Sequence, residues 1–257
     1  MTFAASSTVV KAEGDIRRAA EALRDIAWEL GRFRVATCSN IASKTPMTDQ
    51  DGRVLATDVF GWEETPDAWW NRPLMALSSP IVRACRYESE AFWVDDKAIY
   101  PRQSNAWLHD IDLSEVEAFK NSGTLICVPV HLPFGQIGSV SFSPQGEKPQ
   151  DFAKLFEEVS YTLEDASRRF LAGYVKVREH RAWIPSDCKL SKREIECLKW
   201  VAIGKTDKEI GLLLSRSSAT VRFHLKHACR KLNAVSRSQA VFKASQLGFL
   251  GTAAVGR

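Results

Sequence analysis

Hydrophobic residues recur along this chain with two periods, and the period changes from segment to segment. Ile16, Ala19, Ala20, Leu23, Ala27 and Leu30 fall three or four apart, the spacing of one helix face, and Gly31 follows where a left-handed terminating residue is expected. The spacing predicts a helix over 13–31. Five short segments, 33–41, 53–61, 90–94, 124–132 and 136–144, are β-branched or aromatic, bounded by turn residues, and predict strands. The last two flank "PFG", a hairpin signal, whereas helical stretches near 66–87 and 113–122 interrupt the others. A stripe of Phe152, Leu155, Phe156, Val159, Leu163, Ala166 and Phe170 then predicts one long amphipathic helix. Residues 1–174 therefore read as an α+β domain, an α/β/α sandwich on a mainly antiparallel five-stranded sheet.

Residues 175–188 lose the periodicity, gain charge and contain Pro185, the composition of a linker. From Leu190 the chain is punctuated for short helices. Ser191 with Glu194, Thr206 with Glu209 and Ser236 with Gln239 each fit the S/T-x-x-E/Q capping box, in which a hydroxyl and a later carboxylate or amide satisfy orphan amides reciprocally. Helices are expected to start near 192, 207 and 237, with another after Ser217 or Ser218. Residues 189–250 thus form an all-α four-helix domain, and 251–257 a frayed tail. Its middle pair has the helix, short turn, helix layout of a helix-turn-helix, with Ile210, Leu213 and Leu214 facing Val221, Leu225, Ala228 and Leu232. With that stripe inward, Arg222, Lys226 and Arg230 share an outer face.

Charge changes the picture of that face. The chain of 257 residues, 45% hydrophobic, is long enough for one large or two smaller cores, and its formal charge is +4. Residues 188–257 hold 14 Lys and Arg against 4 Asp and Glu, a net +10, which leaves −6 for the remainder. A basic module on an acidic body points to a polyanion at one end. A helix fits the major groove of B-DNA, where arginine donates two hydrogen bonds to guanine O6 and N7. Thr220, Arg222 and Lys226 are the candidates for base or adjacent phosphate contacts, with Arg230 on the same row. Lys205, Arg216, Ser217 and Ser218 flank the helix pair and suit phosphates. A solvated helix face offers the alternative reading of the same cations; the charge concentration, the caps and the turn favour DNA.

Other chemistries find little support. The six cysteines form no CxxC pair and no Cys/His ligand spacing, so no zinc site or disulfide framework is expected, and a reducing cytoplasm fits best. His224 and His227 sit three apart without a carboxylate or thiolate at ligand spacing, which fits structural histidines better than a metal site. Asp95 with Asp96 and Glu88 with Glu90 are acidic pairs, but no nucleophile elbow, HExxH or phosphate loop accompanies them, and no catalytic residue is expected. No run approaches the length of a membrane span and no signal-peptide layout opens the chain, so a soluble, cytoplasmic protein is expected.

The run from "LSKREIECL" through "GKTDKEI", "TVRFHL" and "KLNAVSRSQAV" to "LGF" closely resembles the DNA-binding domain of LuxR-type transcription factors. The resemblance implies four helices, the third reading DNA, the fourth (236–247) in a dimer contact, and an inverted-repeat site shared by a homodimer. "TPDAWWNRPLMALSSPIVRACRYESEAFWV" followed by "ICVPVHLPFGQIGSVSFSP" resembles the autoinducer-binding domain of quorum-sensing LuxR regulators, which hold N-acyl-homoserine lactones between a sheet and helices. It implies that Trp69 meets the lactone carbonyl, Trp93 lines the head-group end, and Ser141, with Ser139 beside it, lies near the ligand amide. Where the family has Asp-Pro this chain has Ser79-Pro80, which exchanges a charge-assisted bond for a neutral one. Three occupancies stay open: an atypical lactone held by Ser79 with Ser139 or Ser141, another small apolar molecule, or side chains of the protein itself with no ligand. The expected mechanism is a ligand ordering the N-terminal domain and linker so that two recognition helices lie one DNA turn apart. The expected partners are double-stranded DNA, a small apolar signal, a second copy and RNA polymerase, with no cofactor and no membrane.

Overall fold

The computed structural model describes residues 5–43, 45–64, 79–113, 123–146, 151–178 and 188–251. The chain divides into two compact units, separated between the long helix that ends at Arg178 and the segment that begins at Cys188. The fold is α+β.

In the N-terminal unit α1 spans Ile16–Gly31 and buries Ile16, Ala19, Ala20, Leu23, Ile26 and Ala27, the face its periodicity marks. Gly31 is not the left-handed residue. The helix ends with Arg32 at φ 50°; a Cβ on Gly31 would run into the Phe33 ring, so glycine serves there for close approach. Strand β1 (Phe33–Cys38) follows. Segment 53–61, expected as a strand, instead forms a short helix, α2 (Leu55–Asp58). The reason is local: the buried Asp49 carboxylate accepts the amides of Asp51 and Arg53 at 2.9 Å each, which turns the chain so that Val54 meets Thr48 in a single bridge and no longer strand can form. Helix α3 covers Pro80–Ala84, within the expected 66–87, of which residues 66–78 lie outside the described residues. The expected helix at 113–122 likewise falls mostly outside them. Strands β2 (Phe92–Asp95) and β3 (Ile99–Pro101), helix α4 (Ala106–His109), and strands β4 (Thr124–His131) and β5 (Ile137–Pro144) complete the sheet side.

The five strands make one antiparallel sheet in the order β1-β5-β4-β2-β3. Four of them match the expectation, and β3 takes the place of the misread 53–61. Alternation along the strands sends Val35, Ile126, Val128, Val140 and Phe142 to one face, where α1 and α5 (Phe152–Arg178) cover them. The other face carries Phe92, Val94, Leu125 and Cys127 against Ala84 and Cys85 at the end of α3 and Leu108 of α4. This is the α/β/α layering. Helix α5 runs four residues into the stretch expected as linker: Val175 continues its buried stripe from Leu171, and Arg178 donates to Thr48 Oγ1 at 2.6 Å. The loss of pattern read from 175 begins only after that.

The C-terminal unit is built of α6 (Lys192–Ala202), α7 (Asp207–Leu214), α8 (Ser218–Lys231) and α9 (Arg237–Gln246). Ser191 and Thr206 form both halves of their capping boxes. Ser236 caps Gln239 at 3.1 Å, but the Gln239 side chain reaches back one residue further, accepting from Val235 N at 2.7 Å. Each cap contributes about 1 kcal/mol, enough to fix where a short helix starts. The core is Cys197, Leu198, Ile210, Val221, Leu225, Ala228, Leu232, Ala240 and Ala244. Leu213, expected inward, is 51% exposed; on a helix of eight residues Ile210 and Leu214 already fill the inward face.

Candidate nucleic-acid interface and candidate ligand-binding sheet face

Helix α8 begins with a local device. Ser217 Oγ accepts from Thr220 N at 3.1 Å and pairs with Thr220 Oγ1 at 2.9 Å, so both hydroxyls are engaged in starting the helix. Ser218 is its first residue. Because Val221, Leu225 and Ala228 are buried, Arg222, Lys226 and Arg230 stand exposed on the opposite side. Arg222 has 66% of its side chain exposed, and Arg230 is steadied by His227 Nδ1 at 3.2 Å. Phe223, half exposed, packs on His227 with centroids 4.2 Å apart and on His224 at 5.7 Å, so both histidines belong to a ring cluster. Among the described residues no group of three or more His, Cys, Asp or Glu is placed to hold a metal.

Of the flanking candidates Lys205, Arg216 and Ser217 are exposed too, and Ser218 is half-buried. Lys205 lies 3.8 Å from Glu209, and Arg216 donates to the carbonyl of Ser215 at 3.2 Å, on the turn between α7 and α8. That turn is tight: Ser215 takes φ 52°, and Gly211 passes so close that a Cβ there would sit 2.6 Å from the Arg216 carbonyl. An open groove of ≈ 440 Å³ runs along α8, lined by Arg222, Lys226 and Arg237 over Leu225, Phe223, Ala219 and Cys229. Cations around an apolar floor suit a phosphate backbone and the bases beside it.

Asp207 has no forerunner in the sequence reading, and Glu194 has one only as half of a capping box. Asp207 takes the Arg237 guanidinium in a fork of 2.6 and 2.9 Å, and its Oδ2 is 3.7 Å from Arg222 Nε. The fork raises the Arg237 pKa above its ordinary value. A signal existed: Arg237 opens α9, and a cation in a first turn opposes the helix dipole unless a carboxylate answers it. Glu194 is a buried anchor. Burial works against its charge, but Lys231 donating at 2.8 Å and the Ser191 amide at 2.6 Å outweigh that and hold its carboxyl below the usual carboxylate value.

In the N-terminal unit the sheet separates residues that the family resemblance grouped. Ser141 pairs with Cys127, which pairs with Phe92, and Ser139 points the same way two residues back; all lie on the face toward α3. Trp93 pairs with Ile126 and points to the other face, stacked on Tyr100 at 3.9 Å and tilted against Phe152 at 5.5 Å. Trp93 therefore does not share a face with Ser139 and Ser141; Phe92 does, since neighbours in a strand point oppositely. Ser79 is the N-cap residue of α3 and makes no side-chain capping bond. Trp69 lies outside the described residues. Cys38, Cys85 and Cys127 make this face apolar. Burial pushes the Cys38 thiol up to about 11, and the contact of Cys85 with Cys127 at 3.6 Å, followed by burial, pushes Cys85 up as well. Such thiols stay protonated and are poor nucleophiles. No helix among the described residues is long and apolar enough to cross a membrane.

Residues 188–244 match the bacterial regulatory proteins of the luxR family. The transcriptional activator protein VanR of Vibrio anguillarum is 32% identical over 123 residues, 48% of this chain and 50% of VanR, so the chain spans half of that relative's length. The regulatory protein SdiA of Escherichia coli (strain K12) is 32% identical over 192 residues, 70% of this chain and 79% of SdiA. A crystal structure of Escherichia coli SdiA superimposes with a TM-score of 0.46 and 21% identity, covering 90% of this chain and 91% of that one. With a helix-turn-helix whose match falls on the basic unit, and a relative matched across both units, the chain belongs to the luxR family of bacterial regulatory proteins.

Proposed function

We propose that the protein is a cytoplasmic, ligand-responsive transcriptional regulator that binds double-stranded DNA as a homodimer on an inverted repeat and acts on RNA polymerase. The observation that carries this reading is the exposed row Arg222, Lys226 and Arg230 opposite the buried Val221, Leu225 and Ala228 on α8. A stiff helix with cations on its free side and a capped start is what a major groove receives. Arg222 and Lys226 read base edges or the phosphates beside them, while Lys205, Arg216 and the start of α8 at Ser217, Ser218 and Thr220 set register on the backbone. The test is selection of duplexes from a randomised pool by the full chain. Recovery of an inverted repeat is expected, with discrimination at one base pair per half-site lost in Arg222→Ala; equal affinity for selected and unselected DNA overturns the reading.

The signal is a small, largely apolar molecule, an N-acyl-homoserine lactone or a compound of similar build, seated on the sheet face of Ser139 and Ser141 under the helix that Ser79 opens. Two facts support that placement: around Ser139 and Ser141 this face carries Phe92, Val94, Leu125 and Cys127, and the Ser79 hydroxyl makes no cap bond that a ligand must break. Binding shifts a population by ordering the domain, and performs no chemistry. Mass spectrometry of small molecules released from the protein purified from its host tests this reading; an N-terminal unit that carries no molecule and regulates without one overturns it.

A further inference from the structure

Asp207 occupies the junction of three helices in the C-terminal unit. It is the first residue of α7, it is forked to Arg237, the first residue of α9, and it approaches Arg222 on α8. The two arginines are held differently. Arg237 donates through two nitrogens at 2.6 and 2.9 Å, so the carboxylate, 17% exposed, is fixed in place. Arg222 touches it only through Nε at 3.7 Å and is 66% exposed, so its guanidinium has room to leave.

An acid here is a conspicuous choice, because Arg222, Lys226 and Arg237 line the groove beside it and a carboxylate lowers the attraction of that groove for any polyanion. Its effect on Arg222 differs between the two acceptors a duplex offers. Moving Arg222 onto a phosphate brings a second anion toward Asp207, and like charges repel. A guanine edge is neutral, accepts through O6 and N7 in parallel, and carries no such repulsion. We infer that Asp207 is a positioning residue that sets specificity: it holds Arg222 in the groove, disfavours its capture by phosphate, and reserves it for base edges. The inference rests on the DNA-binding reading above.

The test compares the affinity of the full chain for a duplex selected by the wild-type protein with that for the unselected pool. In Asp207→Asn the unselected pool is expected to bind more tightly and the selected duplex little differently, so the ratio falls about threefold, the scale of one exposed ion pair. In an Arg222→Ala background the same Asn substitution leaves the ratio where it was. If Asp207→Asn lowers the unfolding midpoint, Asp207→Ser, a smaller neutral side chain behind the intact Thr206 cap, carries the same expectation. An unchanged ratio in Asp207→Asn, or a fall of the same size in the Arg222→Ala background, which marks a role that does not pass through Arg222, overturns the proposal while wild-type selection stands. Failure of the wild-type chain to select any duplex overturns the DNA-binding reading, and this inference with it.

Discussion

Glu194 and Lys231 are 37 residues apart in sequence and 2.8 Å apart in space, and their bond ties the start of α6 to the end of α8. The carboxylate is 5% exposed and also accepts the Ser191 amide, so one side chain caps α6 and anchors α8. Removing it leaves a half-buried ammonium and an orphan amide. Glu194→Ala is expected to cost the C-terminal unit about 2–3 kcal/mol, below the full figure for a buried pair because Lys231 is 35% exposed. Urea unfolding read on the C-terminal unit checks this.

The same pair sets an acid limit. The folded pKa of Glu194 is lowered from its ordinary 4.5, so the unfolded chain takes up the proton first. The pair's contribution is complete above about pH 4.5 and is lost as pH falls through the folded value. Wild-type stability is expected to fall more steeply than that of Glu194→Ala below that point, and the two curves to converge. Parallel curves from pH 6 to pH 3 would show that Glu194 contributes no such linkage.

Arg222 and Lys205 separate reading from holding. Arg222→Ala is expected to cost about 1–3 kcal/mol on a selected duplex and to relax preference at one position. Lys205→Ala, whose partner Glu209 is exposed, is expected to weaken selected and unselected DNA alike and to flatten the slope of log K against log salt by about one unit. Titrations at several salt concentrations distinguish them; a position-specific loss in Lys205→Ala would reverse the assignment.

Gly173 lies within α5, where alanine ordinarily favours a helix by about 1 kcal/mol. Here a Cβ would stand 2.5 Å from the Val10 carbonyl oxygen and 2.9 Å from Val10 Cβ, and the obstacle is backbone. Gly173→Ala is therefore expected to destabilise the N-terminal unit by about 2 kcal/mol, against the helix scale. A raised thermal midpoint would mean that the Val10 segment moves aside freely.

How far the chain could be read in advance follows the range of the forces. Helix starts at Lys192, Asp207 and Arg237 were legible because each depends on a side chain three residues from its cap. The stripe of α8 was legible because Val221, Leu225, Ala228 and Leu232 repeat with the helix. Segment 53–61 was not, since Val54, Thr57 and Val59 look like a strand and the helix is imposed by the turn that Asp49 builds. Strand β3 is three residues long and exists through its register with Phe92, Trp93 and Val94. The facing of Trp93 away from Ser141 depends on which residues pair across β2, β4 and β5, and the fork between Asp207 and Arg237 joins residues 30 apart. Neither leaves a local trace beyond an arginine that starts a helix.

Ser79 offers a test of what the sheet face binds. It stands at the start of α3 with its hydroxyl free of the cap, and α3 ends on the core cluster that holds Cys127, the neighbour of Ser141. A ligand amide N–H at that position is accepted by a neutral hydroxyl, worth about 1 kcal/mol, where a carboxylate gives about 1.5–3 kcal/mol. Ser79→Asp is therefore expected to tighten an N-acyl-homoserine lactone about tenfold, at 1.4 kcal/mol per decade. A signal without an amide N–H gains nothing and meets a partly buried carboxylate, so its affinity falls. Calorimetric titration of wild type and Ser79→Asp with a set of acyl-homoserine lactones of graded chain length reads the sign directly. Tightening across the set identifies the amide as the group that Ser79 faces; weakening across the set excludes a lactone amide from that position.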